Sequence, residues 1–193
     1  MQKKEKRAWA LLESFQEKFG PNARVAKELS QYYLEKEAYV KAAKQLEYLE
    51  GFDPSNLNVK VKLSLILIEL KQYDQAANRL EEVLAMAPGS DKIRFYLGAV
   101  YEELKEHERA REHFAKVASS SSYYPDAVIH SAHSLQQAGN LSEAEDLLKS
   151  AIEKRQDVVQ FYAFYASLLD ARKDYKTGVD VLSKAVKQFP KNV

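Results

Sequence analysis

A pattern that returns every 34 residues constrains this chain more than anything else in it. It is plainest from Asp91 to Ala110, DKIRFYLGAVYEELKEHERA. There Leu97, Gly98 and Tyr101 form an apolar helix face, a polar turn follows, and Ala110 opens a second helix. With Ala110 as position 20, units begin without gaps at Ala23, Leu57, Asp91, Pro125 and Val159. Position 20 then reads Ala42, Ala76, Ala110, Ala144 and Gly178, and position 8 reads Ser30, Ser64, Gly98, Ala132 and Ala166. The large positions are 11, with Tyr33, Leu67, Tyr101, Leu135 and Leu169, and 24, with Leu46, Leu80, Phe114, Leu148 and Leu182.

Small residues at two positions let a pair of helices approach closely, and large ones at the other two fill the space beside them. Pro54, Pro88 and Pro190 stand where a second helix must stop, because proline lacks an amide donor and restricts its predecessor. Gly139-Asn140 is a turn signal between the two helices of the fourth unit.

These units resemble tetratricopeptide repeats in period and in the order of small and large positions. The resemblance covers residues 23 to 192 and implies an all-α, right-handed superhelix of antiparallel helix pairs. The departures from the family pattern are at position 4, where Ala26, Lys60, Arg94, Val128 and Tyr162 replace the usual tryptophan or large apolar residue, and at Ser131. They are expected to loosen individual hairpins. Residues 1–22 form the lone second helix of a partial unit, with Ala8, Leu12 and Phe15 at positions 20, 24 and 27, closed by Gly20-Pro21. Residues 23–193 then make five units in one continuous array.

Arrays of this kind end in a helix with a polar outer face. Val179, Leu182 and Val186 lie along the last helix with nothing after them in sequence to cover them. Two readings follow: a segment of a longer array, or end-to-end self-association with Trp9 and Leu11 at the opposite end.

Twenty-nine basic residues against 28 acidic give a net charge of +1, which removes the bulk electrostatic case for a nucleic-acid partner. There is no cysteine, hence no disulfide framework, thiolate nucleophile or Cys-ligated zinc. The longest apolar run, Leu63 to Ile68, falls far short of a membrane span and reads as a buried helix segment. The N-terminus has a basic start but neither the apolar stretch nor the cleavage site of a signal peptide. Cytoplasm and periplasm both remain open, and the style of the repeats resembles bacterial arrays.

In this family the first helix of each unit lines the concave wall, so the resemblance implies a groove for a peptide or partner helix. The wall would carry Arg24, Lys27 and Gln31 from unit one, and Lys62 and Leu65 from unit two. Lys92, Phe95 and Tyr96 come from unit three, His130 and His133 from unit four, and Phe164 from unit five. In the first three units the cations fall in the first halves of their helices, while Glu35, Glu69, Glu102 and Glu103 fall near the ends. The helix dipole favours the opposite order by ~0.3–1 kcal/mol per charge. Either a groove uses that arrangement for an acidic or amphipathic peptide, or exposed side chains tolerate the cost. Some family members clamp a peptide's C-terminal carboxylate with Lys, Asn and Arg. Lys27 and Lys92 match, but Gln31, Lys62 and Tyr96 depart from that set.

His130 and His133 sit one helical turn apart, but zinc wants at least three protein ligands, so they are read as groove aromatics. His107 takes a turn position held by tyrosine in three other units and is expected to pack. Ser119 to Pro125 reads as a polar helix end and turn, with phosphorylation or docking at Ser119 to Ser122 or Tyr123 as the alternative. No Gly-rich phosphate loop or nucleophile elbow is present, so neither enzyme nor cofactor is expected. The expected function is a protein–protein scaffold or adaptor. The alternatives are a structural segment without a groove ligand, and an envelope carrier of a small ligand or glycan.

Overall fold

Leucine and alanine dominate the packing positions, and Asn, Ser or Asp precedes several apolar runs, a pattern that favours helices and supplies their caps. A computed structural model describes residues 2–190, with side chains from Arg7 onward. The side chains of the basic start and residues 191–193, where the fifth unit closes, lie outside the described residues. The chain divides into two compact units, Met1–Pro88 and Gly89–Val193.

The first unit holds α1 (Gln2–Phe19), α2 (Ala23–Glu35), α3 (Tyr39–Phe52), α4 (Leu57–Glu69) and α5 (Tyr73–Met86). The second holds α6 (Asp91–Glu103), α7 (His107–Ala115), α8 (Tyr124–Gln137), α9 (Leu141–Lys154), α10 (Val159–Ala171) and α11 (Tyr175–Gln188). The described residues contain no strand, and the fold is the expected all-α class. Helices α2, α4, α6 and α10 begin at the repeat starts read from sequence, and α8 begins one residue ahead of Pro125. Asn22, Asn56 and Ser90 cap α2, α4 and α6 by accepting backbone N–H bonds from the first turn. Helices α2 through α11 pack as consecutive pairs, and α1 rests on α2. No helix among the described residues is long and apolar enough to cross a membrane.

The packing positions are core positions. The residues at 8, 11 and 20 are buried in every pair, and so are Leu46, Leu80, Phe114 and Leu148 at position 24. Leu182, the fifth of that set, is 46 % exposed. Gly98 is required where it stands: a Cβ there would fall within van der Waals distance of three Phe114 ring carbons.

At position 4, Lys60 is only 9 % exposed, and its charge is paired where it lies. Its ammonium lies 2.8 Å from Glu50 on α3 and 3.0 Å from Glu82 on α5, and Arg79 also donates to Glu50. A buried charge is tolerated when it is paired and hydrogen-bonded, and this network joins three helices of the first unit. His107 does not pack as expected: it is an exposed residue opening α7.

Helix α7 has 9 residues, against 14 in the second helices α3, α5, α9 and α11. The serine run 119–122 follows, poor in helix propensity. The segment is nevertheless pinned. Asp91 Oδ1 accepts from the Ala118 amide at 3.3 Å, and Arg155 donates to the Ser119 carbonyl at 3.2 Å. Val117 stays buried in the core.

Candidate binding surface

Helices α6 and α8 of the second unit place a continuous set of rings on one surface. Phe95 is its hub, with ring centroids 5.9 Å from Tyr96, 5.5 Å from Tyr123, 5.8 Å from Phe114 and 5.8 Å from His130. Tyr96 lies 6.3 Å from Tyr123, and Lys92 holds its ammonium 5.9 Å from the Tyr96 ring. One turn along α8, His133 meets Phe164 of α10 at 4.5 Å. Spacings of this order are those of favourable edge and offset ring contacts. Phe95, Tyr96, Tyr123, His130 and Phe164 are all half-buried, so the cluster keeps part of its apolar area exposed.

His130 is more than a ring. Its Nδ1 lies 2.6 Å from Glu102 Oε2, and it stacks on Phe114 at 5.4 Å. The hydrogen bond to the Glu102 carboxylate raises the His130 pKa against the opposing effect of burial, with a further contribution from Asp126. Beside this pair opens a polar cavity of about 510 Å³, lined by Glu102, Glu103, His130, His133 and Ser134 among others. Among the described residues no group of three or more His, Asp or Glu side chains is arranged to hold a metal ion.

The structure therefore gathers Lys92, Phe95, Tyr96 and His130 into one cluster, and pairs His133 with Phe164. Arg24, Lys27, Gln31, Lys62 and Leu65 belong to the first unit. There Arg24, Lys27 and Lys62 are exposed on α2 and α4, and no ion pair engages them among the described residues. Gln31 donates to Glu35 at 3.3 Å, and Leu65 is half-buried.

Sequence reasoning raised Tyr123 only as an alternative phosphorylation or docking residue and not as part of this ring cluster, read Phe114 only as a packing residue, and missed the partner of His130. Tyr123 lies in the connection before α8, where helix periodicity gives no direction. The one available signal was an aromatic pair, Tyr123-Tyr124, ahead of a proline.

Residues 67–121 and 103–168, together more than half of the chain, match the tetratricopeptide repeat family model. The chain belongs to the tetratricopeptide repeat family. No curated protein matches it. Among solved structures, it resembles a crystal structure of MamA at 15 % identity and a TM-score of 0.71, over 90 % of this chain and 94 % of that one. A MamA structure from Desulfovibrio magneticus RS-1 is 16 % identical with a TM-score of 0.67, over 86 % and 94 % of the two chains. A tetratricopeptide repeat protein from Parabacteroides merdae is 18 % identical with a TM-score of 0.70, over 88 % and 67 %. At these identities the likeness is one of fold. The tetratricopeptide fold is in general a protein–protein interaction scaffold, and its members are typically non-catalytic.

Proposed function

We propose that this chain is an adaptor whose second unit docks a segment of another protein on the Phe95–Tyr96–Tyr123–His130 surface. The observation that carries the reading is the ring cluster itself: half-buried aromatics in mutual contact offer large contact area at small entropic cost, as binding hot spots do. The guest is an acidic or amphipathic peptide. Lys92 flanks the rings without an ion pair among the described residues, while the Glu102 carboxylate is engaged by His130 Nδ1 at 2.6 Å. Arg24, Lys27 and Lys62 add free cations on the first unit for the same kind of guest. On this reading α1 is the second helix of a partial unit (1–22) and residues 23–193 supply five units.

The test is selection from a displayed peptide library on the full chain, followed by affinity measurement on Phe95→Ala, Tyr123→Ala and Lys92→Glu. Truncating either ring should weaken selected peptides at least tenfold, the size of a modest hot spot at 1.4 kcal/mol per decade. Selected sequences should be rich in Asp, Glu and aromatic residues. Selected peptides that bind all three variants as they bind the parent would refute the surface.

A second reading, self-association, is favoured by a separate observation. Tyr175, Val179, Leu182 and Val186 form an exposed apolar stripe along α11. On α1, Leu11, Phe15 and Phe19 form another, whereas Trp9 is half-buried and stacks on Tyr32 at 4.4 Å.

A further inference from the structure

The first unit contains a cleft of different chemistry, between α1 and the α2–α3 hairpin, and independent of the aromatic surface. Two cavities of about 470 and 300 Å³ share Glu13, Tyr33 and Lys41. The Glu13 carboxylate accepts from the Tyr33 hydroxyl and, at 3.2 Å, from Lys41. Those three groups are mutually satisfied, and the Tyr33 bond holds Glu13 below the usual carboxylate range.

The rest of the larger cavity is not satisfied. It is lined by polar side chains only, with Gln16 and Glu17 from α1 and Lys44, Gln45 and Tyr48 from α3 completing it. Gln45 is 6 % exposed, and its Oε1 has no hydrogen-bond partner. Gln16 Nε2 has none either. Buried polar groups without partners are rare in folded proteins because each forfeits its hydration, so two on one cleft require an explanation. Glu17 and Lys44 make no ion pair among the described residues. Stacking does not demand this polarity. The corresponding cleft between α7 and the α8–α9 hairpin, about 350 Å³, mixes apolar and polar groups: Phe114, Tyr124, Val128, Leu135 and Leu147 line it together with Arg111, Ser131, Glu143 and Lys154.

We propose that the α1–α3 cleft binds a small zwitterion of the amino-acid or short-peptide class. What the cleft leaves unused is one charged and one neutral donor, Lys44 and Gln16 Nε2, and one charged and one neutral acceptor, Glu17 and Gln45 Oε1. That inventory complements a carboxylate and an ammonium carried by one molecule. The larger cavity also falls within the roughly 300–1,000 Å³ of small-molecule sites.

The chain carries its own reporter. Trp9 is the single tryptophan, lines the adjoining cavity, and has an unpartnered Nε1. The experiment is a titration of Trp9 emission in the full chain with alanylalanine and the free proteinogenic amino acids. Acetyl-alanylalanine amide serves as the probe of the same backbone without end charges. A saturable response is expected from at least one zwitterion and none from the capped probe. Glu17→Gln and Lys44→Gln, both at exposed positions, should each weaken it about tenfold, as loss of one charge-assisted hydrogen bond does. Gln45→Leu should abolish the response while the variant stays folded, its melting temperature equal to or above the parent's. No saturable response to any zwitterion overturns the proposal, as does equal response to the capped probe. Unchanged affinity in folded Gln45→Leu also overturns it.

Discussion

A single backbone position shows how the repeat tolerates local strain. Each turn from a first helix to a second places one residue in the left-handed region: Glu37 at φ 54°, Lys71 at 57°, Lys105 at 63°, Gly139 at 80° and Lys173 at 61°. The hydrogen bonds are the same each time. In the first turn Glu37 N donates to Leu34 O and Ala38 N to Tyr33 O, and Lys173 and Asp174 repeat this against Asp170 and Leu169. That double bond is the glycine-favouring C-terminal helix motif, yet glycine fills it once. A side chain there costs ~1–2 kcal/mol, partly offset because glycine loses ~0.5–1 kcal/mol more on ordering. Lys71→Gly and Lys173→Gly should therefore each stabilise the chain by about 0.5–1 kcal/mol, and Gly139→Ala should destabilise it by a similar amount. Urea melts of the three variants read this directly, and no gain in either lysine variant would mean that the lysines earn their place through side-chain contacts.

Two polar contacts between helices make opposite predictions. Lys60, Glu50, Arg79 and Glu82 tie α3, α4 and α5 where the family uses an apolar residue. Burial pushes the Glu50 carboxyl up, but the Lys60 and Arg79 hydrogen bonds outweigh it and hold the pKa below its ordinary value. A depressed carboxylate contributes stability above its unfolded pKa, and that contribution disappears as pH falls through the folded value. Replacing one member of such a pair strands the others, whereas an apolar residue in the lysine's place removes the desolvation cost. Glu50→Ala should cost about 2–4 kcal/mol, while Lys60→Met should be neutral or stabilising, both read by thermal melts. His130 runs the other way. Its raised pKa means that the Glu102 contact is fully stabilising below the unfolded histidine value of ~6.5 and fades as pH rises through the folded one. Glu102→Gln should lower the melting temperature at pH ~5.5 and leave it almost unchanged at pH ~8.5. An NMR titration of the His130 ring should give a midpoint above ~6.5 in the parent and a lower one in the variant.

At the scale of the whole chain, the helices were legible in the sequence because packing is periodic and the residues at 8, 11, 20 and 24 are packing residues. Helix starts at Ala23, Leu57, Asp91 and Val159 follow from that register alone. Phe95 and Tyr96 were legible for the same reason, since a helix face can be counted. Tyr123 was not, because it reaches the rings from a connection, and neither were the Lys60 and His130 partners, because ion pairs across helices leave no period. The same register isolates Leu182. Its equivalents Leu46 and Leu148 are buried at helices, α3 and α9, that each have a following first helix, α4 and α10, packed on them. On α11 the inner side is covered, with Gly178, Val181 and Ala185 buried, while Tyr175, Val179, Leu182 and Val186 face outward on one stripe. Apolar area buried from water contributes about 25 cal/mol per Å², so pairing this stripe with that of a second copy is favourable once the entropy of association is met by concentration. Light scattering across a concentration series should show a mass rising above one chain, and Val179→Glu with Leu182→Glu should hold it at one chain without lowering the melting temperature. A parent that stays at the mass of one chain throughout leaves the stripe without a self-partner, and the peptide reading then stands without self-association beside it.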